Sequence, residues 1–193
     1  LIPDESDTRL LDDRVLRSLV LDVLSDDERL QHPSLEPVRA FLFAAGEELT
    51  SVERRRFQLA DRLAVLFREY ALTRSDMLEA WSRDETVIES DEFASVERWQ
   101  KSIWNAVFAD GGNIESFREA TDSAFVEIRE IFEVFDAEQL TFPDECHLFG
   151  LSYMARVYAP LLEHLADHCQ LAVYSLNPCR EIGRASCGKE CIV

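Results

Sequence analysis

The sequence predicts an α/β chain that is predominantly helical, and three observations predict it. Apolar residues recur every three to four positions through most of residues 1–140. Near the carboxy end, two short apolar runs flank a helical stretch, the strand–helix–strand order of a parallel βαβ unit. No stretch approaches the ~18–20 consecutive apolar residues of a membrane span. A chain of 193 residues fits one large domain or two small ones. We divide it into a helical region (1–140), the start of an α/β piece (141–180) and a tail (181–193).

The first helix is expected from Thr8 to Leu24, where Leu11, Val15, Leu19 and Val23 recur every four residues and Leu16 and Val20 widen the stripe. Ser25-Asp26-Asp27-Glu28 breaks the pattern or caps the next segment. Between Pro33 and Pro37 the chain is turn-like, and Val38 to Leu42 resumes a short helix that Gly46 closes. The strongest periodicity runs from Glu53 to Leu72, with Phe57, Ala60, Leu63, Ala64, Phe67, Tyr70 and Ala71 on one face and Leu59 and Leu66 on a flank. Residues 73–76 form an exit turn, after which Met77, Leu78, Ala80 and Trp81 resume apolar character. A polar loop spans about Ser82 to Asp91. Val96, Trp99, Ile103, Trp104, Val107 and Phe108 predict another helix, stopped by Gly111-Gly112. A last long helix is expected from Glu115 to Phe135. Beyond Pro143, Cys146 to Leu151 reads as a strand, Ser152 to about His168 as a helix, and Cys169 to Leu176 as a second strand.

Charge narrows the function. With 20 Lys+Arg against 38 Asp+Glu, the net charge is −18, and only Lys101 and Lys189 are lysines. Autonomous nucleic-acid binding needs clustered cations, so this balance argues against it. Five cysteines without an export signal read as cytosolic thiols, and the chain is expected to be soluble and cytoplasmic, with no membrane partner. It opens on Leu1 and stops on Val193 without a terminating element, and is expected to be a fragment.

Gly183 to Lys189 satisfies G-x-x-x-x-G-K, the phosphate loop of nucleotide-binding proteins, but Glu190 stands where a Ser/Thr hydroxyl would ligate Mg²⁺. No helix can follow in three residues to hold the anion, so no nucleotide site is assigned. Residues 182–191 also resemble a translated sequencing adapter, and 181–193 is expected to be a non-native tail. His164 and His168 have the i, i+4 spacing of a zinc pair, but Leu165 occupies the general-base position of the metalloprotease motif. They read as a polar helix end, and no metal site is assigned. Gly150-Leu151-Ser152 begins like a nucleophile elbow, yet Met154 fills the position that must be small, and Ser152 reads as an N-cap. Asp144-Glu145 precedes its strand and is turn chemistry. Arg54-Arg55-Arg56 reads as a solvated first helical turn, and Trp81, Trp99 and Trp104 as core or interface anchors. No catalytic residue is assigned.

Three stretches together resemble one family. Phe57 to Ala60, Leu63 to Phe67, Tyr70, Arg74, Asp76, Leu78 and Trp81 are similar to a segment of the RecC family, the gamma subunits of exodeoxyribonuclease V. Trp99-Gln100 with Trp104 resembles its W-Q-x-x-L-W element, Ile103 replacing Leu. Leu148 to Ser152, Tyr158, Leu161, Leu165 and Leu176-Asn177-Pro178-Cys179-Arg180 resemble its F-G-I-S…Y…L-x-x-L…L-N-P-C-R run. The resemblance implies a degenerate superfamily-1 helicase fold. Residues 53–135 would form an insertion like subdomain 1B, and the βαβ piece part of a subdomain 1A, where Asn177 and Arg180 echo an N-x-x-R helicase motif.

It also implies a non-catalytic subunit that scaffolds RecB-like and RecD-like motors, splits duplex DNA and scans a strand for the Chi signal. ATP and Mg would be used by the partner subunits, with no cofactor in this chain. Leu66 and Arg74 are the implied DNA-channel residues. Val65, Arg68 and Glu69 depart from the family's best-known member, which has two acidic side chains and an amide there. A bent helix is expected between Tyr153 and Pro160. The competing expectation is a helical protein-interaction module with no role in DNA repair.

Overall fold

The computed structural model describes residues 7–44, 49–127, 141–149 and 158–174. In order, these form β1 (Thr8–Leu10), α1 (Asp13–Ser25), two 3₁₀ turns (Arg29–Gln31 and Pro33–Leu35), α2 (Glu36–Leu42), α3 (Leu49–Thr73), α4 (Ser75–Ser82), α5 (Asp91–Phe108), α6 (Asn113–Thr121), β2 (Ala124–Val126), β3 (Glu145–Phe149), α7 (Ala159–His168) and β4 (Gln170–Tyr174). The predominantly helical α/β class is therefore observed. No helix among the described residues is long and apolar enough to cross a membrane.

The first helix begins later than expected. Asp12 caps α1, its carboxylate accepting from the N–H groups of Arg14 and Val15 at 2.9 Å each. Thr8–Leu10, ahead of that cap, is a strand instead. Buried Leu16, Leu19, Val20, Val23 and Leu24 form the inward face of α1, which packs on α3. There Ala60, Ala64 and Ala71 alternate with Leu63 and Phe67 along the buried stripe, and the small side chains admit a close helix approach. Phe57, expected on that face, is 49% exposed, with the Arg17 guanidinium 5.2 Å from its ring centroid. Trp81, Ile103, Trp104, Val107 and Ile114 continue the same core from α4, α5 and α6. Burying each large aliphatic side chain contributes about 1.5–3 kcal/mol. All three tryptophans belong to this core or its margin, in line with the expectation for them.

A second departure lies at the end of the helical region. The helix expected from Glu115 to Phe135 stops at Thr121, where Asp122 takes the left-handed conformation at φ 49°. Ala124–Val126 is then a strand paired in parallel with β1, in the register Thr8↔Ala124, Arg9↔Phe125, Leu10↔Val126. Arg118 reaches from α6 to the Phe125 carbonyl and holds the reversal. Residues 128–135 lie outside the described residues. Parallel strands require a crossover, and here helices α1 to α6 together supply it.

The βαβ expectation for the carboxy-terminal part is met where it is described. β3 and β4 pair in parallel, Glu145↔Gln170 through Phe149↔Tyr174, with α7 between them in sequence. The bend expected between Tyr153 and Pro160 falls largely outside the described residues.

Candidate functional site

Leu66 and Arg74, picked out by the sequence, lie at the carboxy-terminal end of α3. Arg74 forms the one-residue joint between α3 and α4. Its backbone leaves the helical region (φ −136°, ψ 43°). Both backbone groups of Arg74 are nevertheless bonded. The Arg74 N–H donates to the Tyr70 carbonyl at 2.7 Å, and the Arg74 carbonyl accepts from Met77 and Leu78 at 3.0 and 3.2 Å. The Arg74 side chain is exposed, whereas Leu66 is partly buried against the core. Leu66, Tyr70 and Arg74 are spaced four apart, so they follow one strip of the helix surface that ends at the elbow.

Both arms of this elbow are tied to α5. On the α3 arm, the Tyr70 hydroxyl donates to Gln100 Oε1 at 3.1 Å. On the α4 arm, Trp81 Nε1 donates to Glu97 Oε1 at 3.0 Å. The two rings meet edge to face, with centroids 6.0 Å apart. Glu97 also binds the loop after α4, accepting from the backbone N–H groups of Val87 (2.7 Å) and Ile88 (2.9 Å). One turn further along α5, Lys101 Nζ donates to the carbonyl and the carboxylate of Asp84 at 2.7 and 2.8 Å. Asp84 sits at φ 61°, a conformation that aspartate tolerates better than most residues.

Electrostatics follow from this bonding. Burial pushes the Glu97 carboxyl up, but the N–H groups of Val87, Trp81 and Ile88, helped by the Lys101 charge, outweigh it and hold the group below its ordinary value. Burial pushes the Tyr70 phenol above its ordinary value, against the Arg74 charge and the Gln100 hydrogen bond. The Lys101 hydrogen bond and charge lower Asp84. Arg56, Glu97 and Gln100 are the buried polar side chains among the described residues. Two of these three therefore serve the elbow.

The remaining candidates do not converge on chemistry. Arg55 and Arg56 are not a solvated first turn: α3 starts earlier than expected, at Leu49, so they lie in its second turn, and both are drawn to oxygen acceptors. Arg55 Nε donates to the Leu42 carbonyl at the end of α2 at 2.6 Å. Arg56 pairs with Asp27 at 2.6 Å and Glu53 at 2.8 Å. The rings of His164 and His168 are 6.4 Å apart, with His168 stacked on Phe142 and bonded through Nδ1 to the His164 carbonyl. Cys146 and Cys169 are free thiols. Among the described residues, no three His, Cys, Asp or Glu side chains gather to hold a metal. Ser152, Asn177, Arg180 and the Gly183–Lys189 motif lie outside the described residues. Of the positions that depart from the family pattern, Val65 is exposed, and Arg68 pairs across to Asp13 of α1 at 3.0 Å.

Sequence reasoning singled out Gln100 only within the W-Q element and passed over Glu97. A signal was present. Positions 97, 100, 104 and 107 follow one helical stripe, and Trp104 and Val107 on it are core. A Glu and a Gln on an otherwise buried stripe require partners. The arrangement holds the backbone at an exposed cation.

Residues 1–185 match the model of the family described as RecC, N-terminal domain. Over 130 residues the chain is 25% identical to the RecBCD enzyme subunit RecC of Escherichia coli strain K12, covering 67% of this chain and 11% of that protein. Over 168 residues it is 22% identical to the RecBCD enzyme subunit RecC of Haemophilus influenzae, covering 79% of this chain and 14% of that protein. The matched region is thus a small part of the length of either relative.

Proposed function

We propose, from the premise that this chain belongs to the RecC N-terminal domain family, that it is part of a RecC-like scaffolding subunit of an exodeoxyribonuclease V helicase–nuclease. It would act in the cytoplasm in double-strand break repair by homologous recombination. In this reading RecB-like and RecD-like motors supply the ATP- and Mg-dependent steps, and the present chain positions them, splits duplex DNA and guides a strand past Leu66 and Arg74 toward Chi scanning. The helical part corresponds to a subdomain 1B-like insertion. The parallel β3–α7–β4 piece, with Asn177 and Arg180 beyond it, corresponds to part of a 1A-like subdomain.

The family match, which runs through nearly the whole chain, carries this reading. The elbow supports it locally, since it presents an exposed arginine two turns along the strip from partly buried Leu66 on a strongly acidic molecule. A guanidinium there can hold a backbone phosphate. Acidity elsewhere then limits binding to the strip and leaves the rest of the surface to solvent or protein.

Affinity purification of the tagged full-length subunit tests it. RecB-like and RecD-like chains should co-purify, with ATP-dependent degradation of linear DNA in the eluate and none from the subunit alone. A stable, partner-free monomer would instead favour an independent interaction module. Metal-dependent nuclease activity intrinsic to the subunit would overturn the scaffolding assignment.

A further inference from the structure

The α3–α4 elbow is held from both sides by a single helix, and the two side chains that hold it are among the few buried polar groups of the core. Gln100 accepts from Tyr70, one turn before Arg74. Glu97 accepts from Trp81, two turns after it. The two acceptors lie three residues apart on α5, so they share one face of that helix. An apolar pair at these positions would also fill the core, and would leave the Tyr70 hydroxyl and Trp81 indole without their acceptors. What hydrogen bonds add to packing is direction: each fixes the angle of one arm relative to α5. Arg74 follows Tyr70 by one turn on the strip of α3 that ends at the elbow.

We infer that Glu97 and Gln100 are positioning residues for Arg74, clamping both arms of the elbow so that the backbone carrying its guanidinium is held in one place for contact with a nucleic-acid phosphate. The phosphate ligand rests on the proposed function; the clamp itself does not. A phosphate contact is directional, and a guanidinium on a loose joint must lose that freedom on binding. With the joint held in advance, the backbone part of that ordering cost is already met in the free protein.

Two measurements on the full-length subunit in its assembled complex separate the clamp from the ligand. The first is hydrogen exchange at the amides of Arg74, Met77 and Leu78, all bonded within the elbow. In Gln100→Met, exchange there should rise about five-fold, the scale of one net hydrogen bond, while α1 amides stay unchanged. Should Gln100→Met loosen the whole core, Tyr70→Phe removes the same bond from the other side with little change in volume. Elbow exchange that is unchanged in Tyr70→Phe, or that rises no more than exchange in α1, overturns the clamp.

The second is photo-crosslinking of an oligothymidylate carrying 4-thiothymidine to the peptide that contains Arg74. Arg74→Ala and Gln100→Met should each lower the yield several-fold, and the double variant should fall no further than Arg74→Ala alone. Additive losses overturn action through Arg74. A yield indifferent to Arg74→Ala overturns the strand-lining reading, while the exchange data still decide the clamp.

Discussion

Replacing Glu97 with Gln removes a charge and inverts one hydrogen-bonding edge in a site that is 1% exposed. Oε1 accepts from Trp81 Nε1 and the Val87 N–H, and Oε2 from the Ile88 N–H. A glutamine can turn its oxygen toward the first two donors, but its amide N–H₂ then faces the Ile88 N–H, donor against donor. The change loses one charge-assisted bond and leaves two donors unmet, one on the new side chain at the buried position 97 and one on half-buried Ile88. We expect a destabilisation of about 1–3 kcal/mol at neutral pH. Urea denaturation measures it as a lower midpoint with an unchanged slope, because the surface exposed on unfolding is the same.

The pH dependence adds a sign. The folded-state pKa of Glu97 is lowered, so its ionised form contributes stability above the ordinary carboxylate range, and that contribution is lost as pH falls through the lowered folded value. The gap between parent and Glu97→Gln should therefore narrow in acid. Equal midpoints at neutral pH, or a gap that stays constant down to acid pH, would refute the assignment of Glu97 as the ionised latch of the loop after α4.

Three further outcomes are expected. Asp12→Ala removes the acceptor of two N-terminal amides of α1 and should cost about 1 kcal/mol in the same denaturation assay, with Asp12→Asn closer to the parent. Phe67→Ala, in the packed stripe of α3 at 2% exposure, should cost about 3–5 kcal/mol through the cavity it leaves. Gly112→Ala would set a methyl group 2.5 Å from the Val107 carbonyl oxygen and 2.7 Å from that of Ala109. Both are backbone atoms, so the α5–α6 turn must shift, and calorimetry should show a lower Tm with near-UV dichroism changed around Trp104.

The helices and the carboxy-terminal βαβ unit could be read from periodicity because each is a local consequence of spacing. A stripe at three and four residues has one low-energy arrangement against a core, whichever surface covers it. For the same reason Leu63, Phe67, Trp81, Ile103 and Val107 were identifiable as core before any neighbour was known. The family could also be read, because its motifs are linear and keep their order. Boundaries were less accessible. Asp12 is a good cap only because the residues before it are taken up in a strand, and that strand exists only through β2.

The pairing of Thr8–Leu10 with Ala124–Val126 is where composition and spacing lost their force. Phe117, Thr121, Ala124 and Ile128 continue a helical stripe as well as any other in the chain. The left-handed turn at Asp122 and the hold of Arg118 on the Phe125 carbonyl are rewarded only when the opposite end of the helical region supplies a partner strand. The inward arginines follow the same rule. Arg55 and Arg56 look solvated in isolation, and turn inward once α2 and Asp27 offer them oxygen atoms.

From the order of its residues alone, this chain is helical, acidic and a member of a recognisable family, because those properties depend on neighbours within a few turns or on linear motifs. The elbow is different in kind. Tyr70, Trp81, Glu97 and Gln100 come from three helices, and each polar group is tolerable in the core only if the others arrive at hydrogen-bonding distance. A buried donor and its acceptor are specified jointly by the packing of those helices, so Glu97 acquires its role only when the chain closes around it.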